Sequence, residues 1–568
     1  MRSRFALIWM ALVVACGSVS SETAATLPSP GAASQQESSV PTFRATSRLV
    51  LVDVVVTDKK GEFIQELKPA DFTLLEDGKP QRISAFNKHS SLKNAAPEPK
   101  IQLPANQYTN FSTQPLDRPV TVILLDMLNT DLMDQAYGRK QMIKFLEQLP
   151  SGEPVALFAM RGNLAMLQGF TQSSDKLIAA AKTLQNNKSP MMNTESDLED
   201  AEYAATAGQT SAANVSSGLL HMLYSEAQFQ NDQRVRMTLA SLSTLAHSLS
   251  GYAGRKNLIW LTGGIPFSVG PDSSKSGSQQ ERDYFNALHA VQSELAVAQI
   301  AIYPVDVRGL MTLGTPIGTP NDIPEYVARQ SMARQHLNLQ DTTLALKDLA
   351  YETGGKSFSS TNDLKAAMTE SLRQGMNYYT LAYVPENRDW NGGYRKIDVR
   401  ISQPTAKLTF RRGYYAISDR PFSGDESAKM LASAVQPMVP VFTMLLIRVQ
   451  VLAPNAEHKT VRVDYAVNAN DVTFSDGPEQ RKETKIDFMA VAWDKDHKNA
   501  GYIQNTMETS FRPEAYQQAL RTGIPMHQEL ELKPGNYTLK VGVIDRGSQR
   551  VGTVDVPLTV PSAQTAQK

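Results

Sequence analysis

The sequence predicts a multidomain chain that joins an α/β domain to all-β modules, and three observations predict it. Val120 to Leu125 is an unbroken apolar run that stops at Asp126, the pattern of a parallel strand buried on both faces. From 117 to 375 such runs alternate with stretches of helical periodicity, which calls for a mostly parallel sheet covered by helices. From 437 to 561 strand-like runs follow one another directly, which suggests a β-sandwich. A length of 568 residues leaves room for three or four domains at roughly 150 residues each.

The amino-terminal end sets the expected compartment. Met1-Arg2-Ser3-Arg4 is basic, and Phe5 to Ala15 is an apolar run too short for a stable membrane span but suited to a secretory signal. The run closes on Val13-Val14-Ala15-Cys16-Gly17-Ser18, which resembles a bacterial lipobox, so 1–16 reads as a signal with Cys16 as the lipidation site. Acyl chains on Cys16 would tether the chain to a membrane. The competing reading is an ordinary signal cut near Ser20 or Ala25, with Cys16 discarded. Both readings place the protein outside the cytoplasm: in the periplasm, at the outer membrane by a lipid anchor, or secreted. Residues 17–42 are rich in Ser, Ala, Thr, Pro and Gln and read as a flexible tether.

The folded blocks follow in order. Residues 43–92 hold a β-branched run, Arg48 to Asp58, a second run at Phe72 to Glu76, the hairpin signal Asp77-Gly78 and an alternating return to Phe86, which together suggest a small Ig-like β module. Residues 93–117 read as a linker. Within 117–375 the strands are expected at Val120–Asp126, Val155–Met160 hairpinned to Leu164–Leu167, Lys256–Leu261, Ile300–Asp306 and a short piece at Lys356–Phe358. Helices are expected at Tyr137–Leu149, Lys176–Leu184, Leu219–Leu249, Tyr284–Ala298, Leu344–Glu352 and Leu364–Gln374. Two polar stretches, about 186–216 and 309–340, read as insertions at a functional edge. Residues 376–417 form a β annex, 420–440 a Pro/Ser break and 437–561 the C-terminal sandwich.

Composition excludes several chemistries. Lys+Arg and Asp+Glu are both 57, so the formal net charge is zero, which argues against a dedicated nucleic-acid binder. A single Cys rules out an intrachain disulfide framework, a Cys-rich zinc site and a Cys-ligated iron–sulfur cluster. None of the eight His are spaced i, i+4, and no Gly-x-Ser-x-Gly elbow occurs. Ser90-Ser91-Leu92-Lys93 and Ser173-Ser174-Asp175-Lys176 lack the companion motifs of the Ser-x-x-Lys enzymes. Gly354-Gly355-Lys356-Ser357 imitates the end of a P-loop, but Ala350 stands where a Gly is needed and a helix precedes it, so Gly354 reads as a helix C-cap. Asp494, Asp496 and His497 read as a turn between strands.

The α/β stretch resembles a von Willebrand factor A (VWA) domain, and more closely the VWA-related family abundant in Acidobacteria. The matching residues are Val52 to Asp58 with Asp71-Phe72 and Leu75 to Gly78, Leu125 to Thr130, Asn257 to Gly264, Ile302 to Asp306, Thr353 to Gly355, and Arg412 to Tyr415. The resemblance covers about 43–417 and implies a VWA-like, Rossmann-type doubly wound sheet. It also implies a metal-ion-dependent adhesion site at the carboxyl edge of that sheet. The family pattern is Asp-x-Ser-x-Ser, a Thr from a later loop, and an Asp in a Thr-Asp-Gly turn. Here Asp126 and Thr130 keep the outer positions, Leu128 replaces the central Ser, and Gly263 in Thr262-Gly263-Gly264 replaces the acid. A Mg²⁺ or Mn²⁺ ion would then rest on Asp126, Asn129 and Thr130, a degenerate set for a hard cation that wants a full oxygen shell. The competing reading makes Asp126 a cap or a brace for neighbouring loops.

These observations predict a non-enzymatic envelope protein that binds a protein or surface polymer, and no nucleic acid, at the carboxyl edge of its sheet. Asp131, Asp134, Thr262, Gly263, Gly264 and Asp306 are the expected edge residues, in loops 126–134, 262–270 and 306–309. The alternatives are an envelope hydrolase using the carboxylates Asp126 and Asp306, or a structural component with the α/β domain as spacer.

Overall fold

The computed structural model describes residues 48–90, 103–110, 119–150, 152–186, 213–265, 279–310, 342–418, 420–455 and 458–562, all within one compact unit that starts at Arg48. The expected signal with Cys16, the tether, most of both polar insertions and residues 266–270 of the expected edge lie outside the described residues. No described helix is long and apolar enough to cross a membrane.

The described chain opens with strands Val50–Thr57 (β1), Phe72–Glu76 (β2), Lys79–Gln81 (β3) and Ile83–His89 (β4). β2 and β3 form the hairpin expected at Asp77-Gly78, and both turn residues take positive φ. Further on, the linker carries a short strand, Gln107–Thr109 (β5).

The α/β domain is a five-stranded sheet of Val120–Asp126 (β6), Val155–Met160 (β7), Leu164–Thr171 (β8), Lys256–Thr262 (β9) and Ile300–Asp306 (β10), in the order β10-β9-β6-β7-β8. β6, β7, β9 and β10 are parallel, and β8 is the antiparallel edge of a hairpin. Phe358 bridges Val305 in parallel, which is all that forms of the expected short strand. Alternation along each strand feeds two cores. Val122, Leu124, Leu258, Trp260 and Ile302 face the helices Ala213–Leu249, Gln279–Val297 and 342–353, while Ile123, Leu125, Leu157, Ile259 and Val305 face Leu132–Leu146, Ser174–Thr183 and Leu364–Met376. The helix expected from Leu219 is a single one that begins at Ala213. Gly354, at φ +74, ends the helix 342–353 in the left-handed conformation expected of a C-cap.

Strands Tyr378–Tyr383 (β11), Tyr394–Ile401 (β12), Lys407–Thr409 (β13) and Gly413–Tyr415 (β14) follow. They complete the first four. One sheet runs β13-β1-β11-β4 and the other β14-β12-β2-β3. The stretches expected as a separate module (43–92) and annex (376–417) thus share two sheets and one core of Val52, Val54, Phe72, Leu74, Tyr379, Leu381, Ile397 and Val399. The α/β domain is inserted between the halves of this β domain.

The C-terminal region is a two-sheet sandwich of Ile447–Leu452 (β15), Val461–Val467 (β16), Ser475–Asp476 (β17), Lys482–Trp493 (β18), Asn499–Phe511 (β19), Ile524–Leu530 (β20), Gly535–Asp545 (β21) and Val551–Val560 (β22). The sheets run β20-β16-β15-β5 and β17-β18-β21-β22, with β19 paired to β18. The described part of the linker, 103–110, therefore joins the sandwich: β5 pairs with β15, and the buried Asn110 donates to Phe442 O and Leu445 O at 2.8 Å and accepts from Ile447 N. The expected break at 420–440 instead contains a helix, Gly424–Ala434, opened by a capping box of Ser423 and Glu426. Its Leu431 and Ala434 pack on Met489, Val491 and Ile544.

Candidate functional site

The strand order reverses between β6 and β9, because the chain proceeds from β6 outward to β8 and then crosses over to β9 and β10. Open α/β sheets hold ligands in the crevice beyond the carboxyl ends of strands at such a switch point. The residues there are Asp126 at the end of β6 and Thr262 at the end of β9.

Asp126 is almost fully buried and is surrounded by donors. Its Oδ1 accepts Leu128 N–H at 3.1 Å and Asn129 N–H at 2.9 Å; its Oδ2 accepts Asn129 Nδ2 at 3.0 Å and Thr262 Oγ1 at 2.8 Å. Burial pushes the carboxyl above the usual carboxylate range, and the bonds from Asn129, Thr262 and Leu128 pull it back. The knot extends further. Asn129 Nδ2 also donates to Thr238 Oγ1 at 2.9 Å, and Arg234 Nε donates to Asn129 Oδ1 at 3.3 Å. Thr130 Oγ1 accepts Gly263 N–H at 2.8 Å, Thr262 Oγ1 accepts Gly264 N–H at 3.0 Å, and Gln135 Nε2 holds Thr130 O at 2.8 Å.

These residues do not fit a divalent cation. Both oxygens of Asp126 and the side-chain oxygens of Asn129 and Thr130 already accept from protein donors, and the guanidinium of Arg234 brings a positive charge to the cluster. Leu128, in place of the ligating Ser, belongs to the apolar core. The position of the acidic ligand is closed as well: a Cβ on Gly263 would stand 2.8 Å from Asn129 O and 3.1 Å from Thr130 Cα. Among the described residues no cluster of three or more His, Cys, Asp or Glu is placed to hold a metal. The expected Mg²⁺ or Mn²⁺ on Asp126, Asn129 and Thr130 thus meets a shell already filled by hydrogen bonds, and the alternative role of Asp126, bracing neighbouring loops, is the one its contacts describe.

The structure brings together Asp126, Asn129, Thr130, Thr262, Gly263 and Gly264, and sets the other three expected residues around them. Asp131 is exposed, preceding the helix Leu132–Leu146. Asp134 is half-buried, and its carboxyl is pushed up by burial and by Asp131 and pulled down by Arg308. Asp306, at the end of β10, is held in a two-pronged ion pair by Arg308, Nε to Oδ1 at 2.9 Å and Nη2 to Oδ2 at 2.8 Å. Asp126 and Asp306 are thus each engaged by protein donors, Asp126 by Asn129 and the Thr262 hydroxyl and Asp306 by Arg308. A cavity of about 320 Å³, part of it open to solvent, reaches the knot and is lined by Asp126, Thr130, Asp134, Gly138, Arg139 and Val307. The sequence reading missed Arg234 and Thr238. Their signal is a polar pair at i, i+4 on the helical face that otherwise carries Val235, Leu239, Leu242 and Leu245 to the core.

No family description and no curated protein matches the chain. Among solved structures, an aerotolerance-related membrane protein from Bacteroides fragilis NCTC 9343 is 11% identical, with 45% of this chain and 98% of that one covered and a TM-score of 0.23. The conserved hypothetical protein BatB from Bacteroides thetaiotaomicron is 11% identical, covering 45% and 98%, with a TM-score of 0.21. A von Willebrand factor type A protein from Catenulispora acidiphila is 8% identical, covering 88% and 77%, with a TM-score of 0.20. Likenesses at these scores carry no weight, and the α/β domain is defined by its own strand order.

Proposed function

We propose that the chain is a non-enzymatic, exported binding protein whose VWA-like domain engages a protein or surface polymer of the cell envelope at the carboxyl edge of its sheet, without a metal. The observation that carries the reading is the sealed knot at Asp126. Its polar side chains are engaged by one another, and it ties the loops after β6 and β9 to each other and to the helix Ala213–Leu249. A braced edge of that kind is a rigid platform. Around it stand exposed apolar side chains, Leu132, Met133 (79% exposed) and Leu310, beside the charged Asp131, Asp134 and Arg308. Exposed apolar groups inside a polar rim suit a protein-sized partner better than a small molecule.

The test is capture of envelope components on the full exported chain and on the triple variant Leu132→Asp, Met133→Asp, Leu310→Asp. Loss of the captured partner at unchanged melting temperature is the expected result. An identical capture pattern for both proteins would remove the edge from the account.

A further inference from the structure

One sheet of the C-terminal sandwich ends on β19, the longest described strand at 13 residues. β18 pairs with it from Lys482 opposite Phe511 to Trp493 opposite Asn499, and the one register shift falls at the Ala492/Trp493 end. From Gly501 to Phe511 the register is unbroken. No described strand pairs with its other side. In an antiparallel pair every second residue points both its N–H and its C=O away from the partner strand, so that side is a row of backbone donors and acceptors. Tyr502 to Thr506 line a hollow open to solvent, and Tyr502 is 64% exposed.

Other sheet edges of the molecule are blunted in the usual ways. β3 is three residues long and carries Lys79 and Pro80. β20 carries Pro525 and Glu529, and β22 carries Pro557 and Asp555. β8 is broken by register shifts, and its Met166 N–H is taken by Met438 O. β19 has none of these devices from Gly501 onward. It contains no Pro and no Lys, and its one charged side chain, Glu508, is neutralised by Lys485 of β18 at 2.8 Å. A long, regular, uncharged edge is a template for another strand.

The strand is complementary to its own copy. A twofold axis sets a strand antiparallel to itself, and inner faces meet inner faces only when the axis passes through a residue position. Centred on Asn505, the midpoint of β19, the axis overlaps all 13 residues. In that register Ile503 lies opposite Met507 of the second copy, and both residues pack on the sandwich core from the inner face. Glu508 lies opposite Tyr502 of the second copy, so no like charges meet. We propose that β19 is a dimerisation edge, at which two copies of this chain pair β19 with β19 about Asn505 and join their sheets into one. Such an isologous contact closes on itself and does not propagate into a fibre. It lies in the sandwich and is independent of the partner-binding edge of the α/β domain.

Sedimentation of the full exported chain, combined with a register probe, tests the dimer. A concentration-dependent monomer–dimer equilibrium is expected. Asn505→Lys sets two like charges directly opposite each other and is expected to weaken it about fivefold or more. Asn505→Cys places two thiols on directly opposite residues, with Cβ atoms about 4.5–5.5 Å apart, and a short bifunctional thiol reagent is expected to give a covalent dimer. Tyr502→Cys puts its thiols roughly 20 Å apart at about 3.3 Å per residue, and is expected to give none. The wild-type chain, whose one Cys is Cys16, is the control. The cross-link reads the register even if Asn505→Lys fails to fold. A chain that stays monomeric at about 100 µM, or a dimer that cross-links no better through position 505 than through position 502, overturns the proposal.

Discussion

The two ends of the α/β sheet treat buried charge in opposite ways. At the carboxyl end an acid, Asp126, is wrapped by hydrogen bonds from Leu128, Asn129 and Thr262, with Arg234 one step behind. At the amino end three cations, Arg255, Lys256 and Arg411, crowd around Asp53. The first end is closed by hydrogen bonds within the protein; at the second, two buried guanidinium nitrogens, Nε of Arg255 and of Arg411, have no partner among the described residues. A motif residue at the expected edge of a fold therefore does not mark a ligand by itself: Asp126 stands in the motif, yet its oxygens are already taken by protein donors.

The largest effect that would break the comparison falls at the closed end. Asp126→Ala removes the common acceptor of four donors, and a loss of about 3–5 kcal/mol in urea denaturation is expected. A loss below 1 kcal/mol would mean that the knot braces nothing.

Next comes the pH dependence of the amino end. Burial lowers Lys256 from 10.5 to about 8 in the folded chain, partly offset by Asp53. Below pH 8 the lysine is charged in both states and its burial weakens the fold. Above 8 the folded chain releases the proton that the unfolded chain keeps until 10.5, so stability rises across that window. Folding free energies of the wild type and Lys256→Met are expected to diverge by about 3 kcal/mol between pH 7.5 and 10.5, the variant lacking the rise. Taking the difference removes the opposing contribution of Tyr414 and Tyr415, both pushed up to about 12 by burial first. Parallel curves would show that Lys256 is not held as described.

A smaller effect sharpens the closed end. Gly263→Ala puts a Cβ against Asn129 O and Thr130 Cα, and a loss of about 1–3 kcal/mol is expected by the same denaturation assay. The smallest is Met133→Asp at the exposed edge, expected within about 0.5 kcal/mol of wild type while still weakening partner capture.

Much of the α/β domain was legible because its evidence is local. The apolar runs at Val120–Leu125 and Ile300–Val305 name their own strands, and Asp126 and Thr262 were singled out from single motifs. The β domain was not, because pairing Val52 with Leu381 or Leu75 with Asp398 joins segments hundreds of residues apart, and a period-two pattern does not specify its partner. The helix Gly424–Ala434 was hidden between proline and serine residues, although Ser423 and Glu426 carry its capping signature. The knot was half visible: the acid can be read, but whether a metal or a hydrogen bond satisfies it depends on Arg234 and Thr238 from a distant helix. The charge cluster at the amino end was invisible, since Asp53, Arg255 and Arg411 belong to no common motif and meet only when the inserted domain folds back on its host.

One set of melting curves on the full chain tests the closed end directly. Mg²⁺ and Mn²⁺ are expected to leave the Tm unchanged. A rise with Mg²⁺ or Mn²⁺ that Asp126→Ala abolishes would contradict the account.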